Sequence, residues 1–205
     1  MQNYQSQIRL MVKMQFQIGV ARRICETIGT VEMPSVSEKL GHMAAQAAMV
    51  EGLVYGMESG GGYYNGYYVP DRNLMYTAQV LTQQLYPEFI TSMREIAGGG
   101  LIMLPSSVQD FKNPEISKYI TATQNSAIGT SQEKVKFMKL AWDAIGSEFA
   151  SRHTQYEMFY AGAQFVTRGH ALRTYDWDRS KNLVDSILDS YCLEDIIGKS
   201  NIAAE

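Results

Sequence analysis

The sequence predicts an all-α protein, an antiparallel four-helix bundle. Three observations carry that expectation. Apolar residues recur at three- and four-residue steps over long stretches. Capping residues or glycines punctuate those stretches. The connections between them are short and rich in turn residues, which suits antiparallel neighbours.

The first helix is expected from about Tyr4 to Thr27. Met11, Met14, Ile18, Ala21, Cys25 and Ile28 form one stripe; Ile8, Val12, Phe16 and Val20 form a second. A helix apolar on two sides belongs at the centre of a bundle. Met33-Pro34-Ser35 interrupts the pattern, and Ser35 with Glu38 has capping-box spacing, so a second helix is expected to open there. Val36, Leu40, Met43, Ala47, Val50, Val54 and Met57 mark its inner face. Ala44, Ala45, Ala47, Ala48 and Gly52 are small enough for close helix approach, and Ser59-Gly60-Gly61-Gly62 ends it. The aromatic loop Tyr63 to Pro70 contains Asn65-Gly66, a hairpin turn signal.

Asp71 is placed to cap a third helix, with Leu74, Ala78, Leu81 and Leu85 inward and a kink at Pro87. That helix continues through Phe89, Met93 and Ile96 to three glycines. Asn113-Pro114-Glu115 opens a short helix reaching Thr123. Thr130 and Glu133 form another capping box, ahead of a long helix through Val135, Met138, Trp142, Ile145, Phe149, Arg152, Tyr156 and Phe159. Gly146 is expected to bend that helix and Gly162 to end it. A last helical stretch runs from about Asp178 to Tyr191, and Ile202 to Glu205 reads as a frayed tail. No internal repeat or linker divides residues 1–205, so one domain is expected. A helix within a few residues of Met1 suggests that a domain boundary lies before residue 1.

Composition narrows the function. Charged residues are 19% of the chain, below the usual quarter, so neighbours are expected to cover much of the surface. The net charge of −3 and the absence of a Lys/Arg run argue against a nucleic-acid partner. No apolar stretch reaches the length of a membrane span, and the first residues lack a signal-peptide pattern. Cys25 and Cys192 make no disulfide framework, which fits a reduced, cytoplasmic setting. Twelve methionines and thirteen tyrosines fit a Met-rich helical core with aromatic edges, or else a subunit interface or flat ligand site.

His42, His153 and His170 stand in no metal-ligand spacing, so no metal is expected. Neither glycine cluster has the spacing of a phosphate loop or dinucleotide fingerprint. No Gly-x-Ser-x-Gly elbow is present. Cys25 lies on an apolar stripe and reads as a small buried hydrophobe, while Cys192 has no evident base; no catalytic residue is assigned.

Arg94 to Ser107 is the most informative stretch. Gly98, Gly99 and Gly100 can stop a helix, and they also leave main chain bare for a cofactor or a partner subunit. Ser106 and Ser107 follow within reach of anything docked there. Arg152 and His153, with Arg168, His170 and Arg173, form a basic cluster. It reads either as helix-face ion pairs such as Glu148 with Arg152, or as an anion site, since arginine binds phosphate bidentately. Arg9 and Lys13 share a face of the first helix, as do Arg22 and Glu26, and such charges are expected to be solvated.

Taken together, Gln7 to Lys13, Gln83 to Pro87, Ala97 to Ser107 and Gly146 to Gly162 resemble one family across essentially the whole chain. It is similar to the C-terminal domain of the oxygenase component of 4-hydroxyphenylacetate 3-monooxygenases, two-component flavin-dependent phenol hydroxylases. The resemblance implies an acyl-CoA dehydrogenase-like fold whose last domain is a four-helix bundle. It implies reduced FAD supplied by a separate flavin reductase, and hydroxylation of 4-hydroxyphenylacetate or a similar phenol ortho to its hydroxyl. It further implies a homo-oligomer, dimer or tetramer, assembled through this bundle. Carried onto this sequence, the flavin-contacting main chain falls at Gly98, Gly99 and Gly100, with Ser106, Ser107 and Arg152 as further cofactor-binding candidates. The N-terminal and middle domains lie outside these residues, and the family's substrate-binding Arg, Tyr and His with them, so this portion alone is expected to be inactive. The dehydrogenase-type arginine before Phe-Gly is also missing; the corresponding region reads Glu26-Thr27-Ile28-Gly29. Two alternatives stand beside this reading. One is an assembly bundle that binds no flavin. The other is a 4-hydroxybutyryl-CoA dehydratase-like fragment, whose iron–sulfur cluster two distant cysteines would not hold.

Overall fold

The computed structural model describes residues 2–191. Helix α1 spans Gln2–Ile28 and α2 Pro34–Ser59; a hairpin of β1 (Gly62–Tyr64) and β2 (Tyr67–Val69) leads to α3, Arg72–Ala97. Two 3-10 turns, Gly98–Leu101 and Val108–Lys112, precede α4 (Pro114–Thr123). Then come α5 (Ser131–Ile145), α6 (Glu148–Phe159), α7 (Gln164–Thr174) and α8 (Trp177–Leu188). Cys192 and the expected tail at Ile202 to Glu205 lie outside the described residues.

Helices α1, α2 and α3 pack against one another, and the α5–α6 pair supplies the fourth column of the bundle. Met14, Ile24, Met43, Phe89, Met93, Met138 and Ile145 meet in one core with essentially no exposure. Burying each such side chain contributes roughly 1.5–3 kcal/mol. Several expectations hold locally. Asp71 caps α3 by accepting from the Leu74 amide at 2.6 Å. Asn113 caps α4, and the Thr130/Glu133 capping box forms at α5. Tyr63 pairs with Tyr68 across the hairpin, with Asn65 and Gly66 both at positive φ as a tight turn requires.

Others are corrected. Ser35 does not cap α2: the helix opens one residue earlier on Pro34, with Met33 as an N-cap that makes no side-chain hydrogen bond. Pro's fixed φ suits the first helical position, so the start moves onto it. Val12 and Phe16 in the second stripe of α1 are about half exposed, as is Leu81 of α3. Val20 of that stripe is buried and Ile8 packs against Val54, Met57 and Ala78, while Ser6, Gln7 and Gln17 are buried on α1 beside Leu10 and Met14. Pro87 lies inside α3, which continues through Phe89, Met93 and Ile96 as expected.

The expected long helix is two helices. The amides of Gly146 and Ser147 both donate to the Trp142 carbonyl, at 2.7 and 2.9 Å, and Ser147 then caps α6 through the Ala150 amide. The break changes the register, so Phe149 and Phe159 face outward while Ala150 and Glu157 are buried. Helix α7 was not expected. Gln83 secures its joint: its amide donates at 2.8 Å to the carbonyls of Met158 and Gly162 and accepts from Thr167 at 2.8 Å.

Candidate functional site

The glycine triplet ends α3. Gly98 has φ +56° and ψ −150°, a backbone region essentially closed to other residues. Its amide returns to the carbonyls of Arg94 and Glu95 and closes the helix. The three glycines then differ. A Cβ at Gly98 or Gly99 would meet nothing within 4 Å, whereas one at Gly100 would meet Met138 at 3.4 Å. Two glycines therefore present bare main chain outward, and the third allows core packing.

Gly98 borders a cavity of about 270 Å³ with Arg94, Leu101, Ile102, Trp142 and Gly146. The α5–α6 break builds the opposite wall. Arg94 reaches from α3 to bind the Ile145 carbonyl through Nε at 2.9 Å and Nη2 at 2.8 Å, covering an acceptor that the end of α5 would leave free. The Trp142 ring lies over Gly146, where a Cβ would come within 2.6 Å of it. The cavity thus has a flat aromatic wall, an apolar floor and an open glycine edge.

The other candidates stand apart from it. Ser107 caps the second 3-10 turn, and the Ser106 hydroxyl donates to Asp110 at 3.3 Å, so both hydroxyls serve local structure. Arg152 pairs with Glu148 at 2.8 Å on the surface. It lines a different cleft, of about 440 Å³, with Arg9, Phe149, His153 and Tyr156.

Beneath that second cleft is a cluster that sequence reasoning placed in solvent. Arg9 and Lys13 of α1 converge on Glu157 of α6, whose side chain is only 5% exposed. Arg9 holds both carboxylate oxygens, at 2.6 and 3.1 Å, and stacks over the Tyr156 ring at 4.4 Å. Lys13 binds Glu157 as well and donates to His153 Nδ1 at 2.8 Å. An ammonium can only donate, so Nδ1 accepts and the ring proton sits on Nε2. Burial, then the Lys13 charge, pushes the His153 pKa below its ordinary value. Burial also lowers that of Lys13 and drives Tyr86, beneath its ammonium, up to about 12. The available signal was complementarity: like charges one turn apart on α1, and a His–Glu pair one turn apart on α6. Sequence alone did not say that those two faces meet.

Among the described residues, no group of three or more His, Cys, Asp or Glu could hold a metal. No helix there is long and apolar enough to cross a membrane.

Comparison with known proteins gives this geometry a context. The family model HpaB, 4-hydroxyphenylacetate 3-hydroxylase C terminal, matches residues 1–189. A 4-hydroxyphenylacetate 3-monooxygenase oxygenase component from Pseudomonas aeruginosa is 35% identical over 167 residues, 80% of this chain and 32% of that protein. One from Escherichia coli is 34% identical over 193 residues, 91% of this chain and 37% of that protein. The chain thus spans about a third of the length of these relatives. A solved oxygenase component of 4-hydroxyphenylacetate 3-monooxygenase, complexed with FAD, superposes with TM-score 0.85 at 27% identity, over 91% of this chain and 39% of that one. An archaeal 4-hydroxybutyryl-CoA dehydratase shares the fold, with TM-score 0.77 at 19% identity.

Proposed function

The chain belongs to the 4-hydroxyphenylacetate 3-hydroxylase C-terminal family, and on that premise we propose that it is the assembly and flavin-contacting domain of a reduced-flavin-dependent aromatic monooxygenase. The whole enzyme would hydroxylate a phenol such as 4-hydroxyphenylacetate, take reduced FAD from a separate flavin reductase, and work in the cytoplasm as a homotetramer. The single-bundle organisation over residues 1–205 belongs to the same proposal.

The carrying observation is the outward main chain of Gly98 and Gly99 beside the Trp142 wall. These residues fit the flat part of a flavin: bare backbone permits close approach, and the indole face gives an aromatic surface. They do not fit its diphosphate, because Arg94 already spends Nε and Nη2 on Ile145. At about 270 Å³ the cavity is also smaller than a usual cofactor pocket of roughly 300–1,000 Å³. This bundle therefore supplies one wall, and anionic contacts fall to Arg152 or to residues elsewhere in the assembly. Bound reduced flavin supplies the oxygen-activating chemistry. The residues here orient its ring through Gly98, Gly99 and Trp142 and exclude water through Leu101 and Ile102.

Calorimetric titration of FAD into the parent and into Gly99→Ala tests this. Gly99 is not at positive φ and has room for a methyl, so the variant should keep its fold. Saturable binding weakened by Gly99→Ala is expected. A folded, oligomeric parent that ignores FAD would leave the assembly role and remove the flavin wall.

A further inference from the structure

The cleft between α1 and α6 carries chemistry that the glycine wall does not use. Phe149, Arg152, His153 and Tyr156 recur at three- and four-residue steps, so one face of α6 lines it, and Arg9 reaches in from α1. Its polar groups are two guanidiniums, an imidazole and a phenol. A guanidinium can only donate. Lys13 occupies Nδ1 of His153, so the Nε2–H is a donor, and it has no acceptor among the described residues. No carboxylate lines the cleft: Glu157 lies buried beneath it, taken up by Arg9 and Lys13. A lining of donors selects an acceptor, and a cationic one selects an anion.

We propose that this cleft binds a small aromatic monocarboxylate, its ring against Phe149 and its carboxylate between Arg152 and the His153 Nε2–H. Charge sets the valence. Arg9, Lys13 and Arg152 are positive, Glu148 and Glu157 are negative and His153 is held neutral, so one positive charge is left over. That balances a carboxylate and falls short of a phosphate monoester, which carries nearly two charges. The rings set the body of the ligand. Tyr156 is already stacked against Arg9 and Tyr160, so Phe149, 64% exposed and tilted over His153, is the ring left for an occupant. Arg152 is available: its Nε and Nη2 share one oxygen of Glu148, and an exposed pair of that kind is cheap to exchange. At about 440 Å³ the cleft has the size of a small-molecule site, roughly 300–1,000 Å³. An occupant would join α6 to the Arg9 charge on α1 and so brace their junction. The anionic contacts of a flavin then fall elsewhere, and this inference does not rest on the flavin wall.

Calorimetric titration of the full chain with phenylacetate tests it, with 2-phenylethanol, acetate and inorganic phosphate as controls. Phenylacetate should bind saturably and raise Tm, as a ligand of the folded state must. Acetate lacks the ring and 2-phenylethanol lacks the charge, so both should bind more weakly. Arg152→Gln should weaken phenylacetate about tenfold or more, the worth of one charge-assisted hydrogen bond. Phe149→Ala should weaken it about 2–10-fold, the worth of an aromatic pair. Both side chains are largely exposed, so the variants should keep the parent's unliganded Tm. No saturation in the millimolar range, or binding that neither variant changes, overturns the assignment. So does phosphate binding tighter than phenylacetate. Displacement of phenylacetate by FAD would hand the cleft to the cofactor and overturn it too. Gly99→Ala should leave phenylacetate binding unchanged, so loss of FAD binding alone would sink only the flavin wall.

Discussion

Replacing Glu157 by glutamine removes one charge from the junction of α1 and α6 and nearly preserves its shape. Arg9 and Lys13 would then face each other across a neutral amide, with Arg9 Nε already buried without a partner. Deleting one member of a buried ion pair costs about 3–5 kcal/mol, because the charge left behind is uncompensated. The Arg9 side chain keeps 27% of its exposure and Lys13 keeps 14%, so water relieves part of the penalty. The expected loss is therefore near the lower bound, about 3 kcal/mol. For a chain of this length that lowers Tm by about 6–12 °C. Urea unfolding of the parent and variant measures it directly. Adding Lys13→Met to Glu157→Gln should recover part of the loss, since the second change removes an unpaired buried ammonium. Glu148→Gln is the control, breaking a pair whose side chains are 79% and 81% exposed and worth about 0–1 kcal/mol. If Glu157→Gln costs no more than that control, the buried-cluster reasoning is wrong.

Three further outcomes follow from named groups. His153 has a pKa below its ordinary value, so the fold favours its neutral form. Its contribution is complete above the unfolded pKa of about 6.5 and is lost as pH falls through the folded value. Urea midpoints from pH 7.5 down to 5 should fall more steeply for the parent than for His153→Gln; parallel profiles would remove the claim. Tyr86, held by burial at about 12, should stay un-ionised in an absorbance titration up to pH 11 while exposed tyrosines ionise. Gly146→Ala should cost about 1–3 kcal/mol by overpacking, because its methyl would come within 2.6 Å of the Trp142 ring. A variant with unchanged stability and unchanged indole fluorescence would show that the ring swings aside freely.

Much of the fold was legible because local chemistry determined it. Asp71, Asn113 and the Thr130/Glu133 box act on amides within three residues, so their roles are readable in a short window. Asn65-Gly66 is the same case, since the turn demands positive φ at both positions. The glycine triplet was legible as a helix end, but its division was not. Gly98 and Gly99 face open space while Gly100 faces Met138, a residue from a helix far along the chain.

The failures share a physical cause: each depended on which face of one helix another helix meets. Apolar spacing continued smoothly through Gly146, yet two amides competing for one carbonyl broke the helix and turned Phe149 outward. That turn brought Glu157 inward, and a buried carboxylate needs cations. Arg9 and Lys13 supply them from α1, so residues that read as solvated surface became the charged centre of a helix junction. The same dependence governs α8. Its sequence specifies an amphipathic helix, but an amphipathic helix specifies only that something covers it.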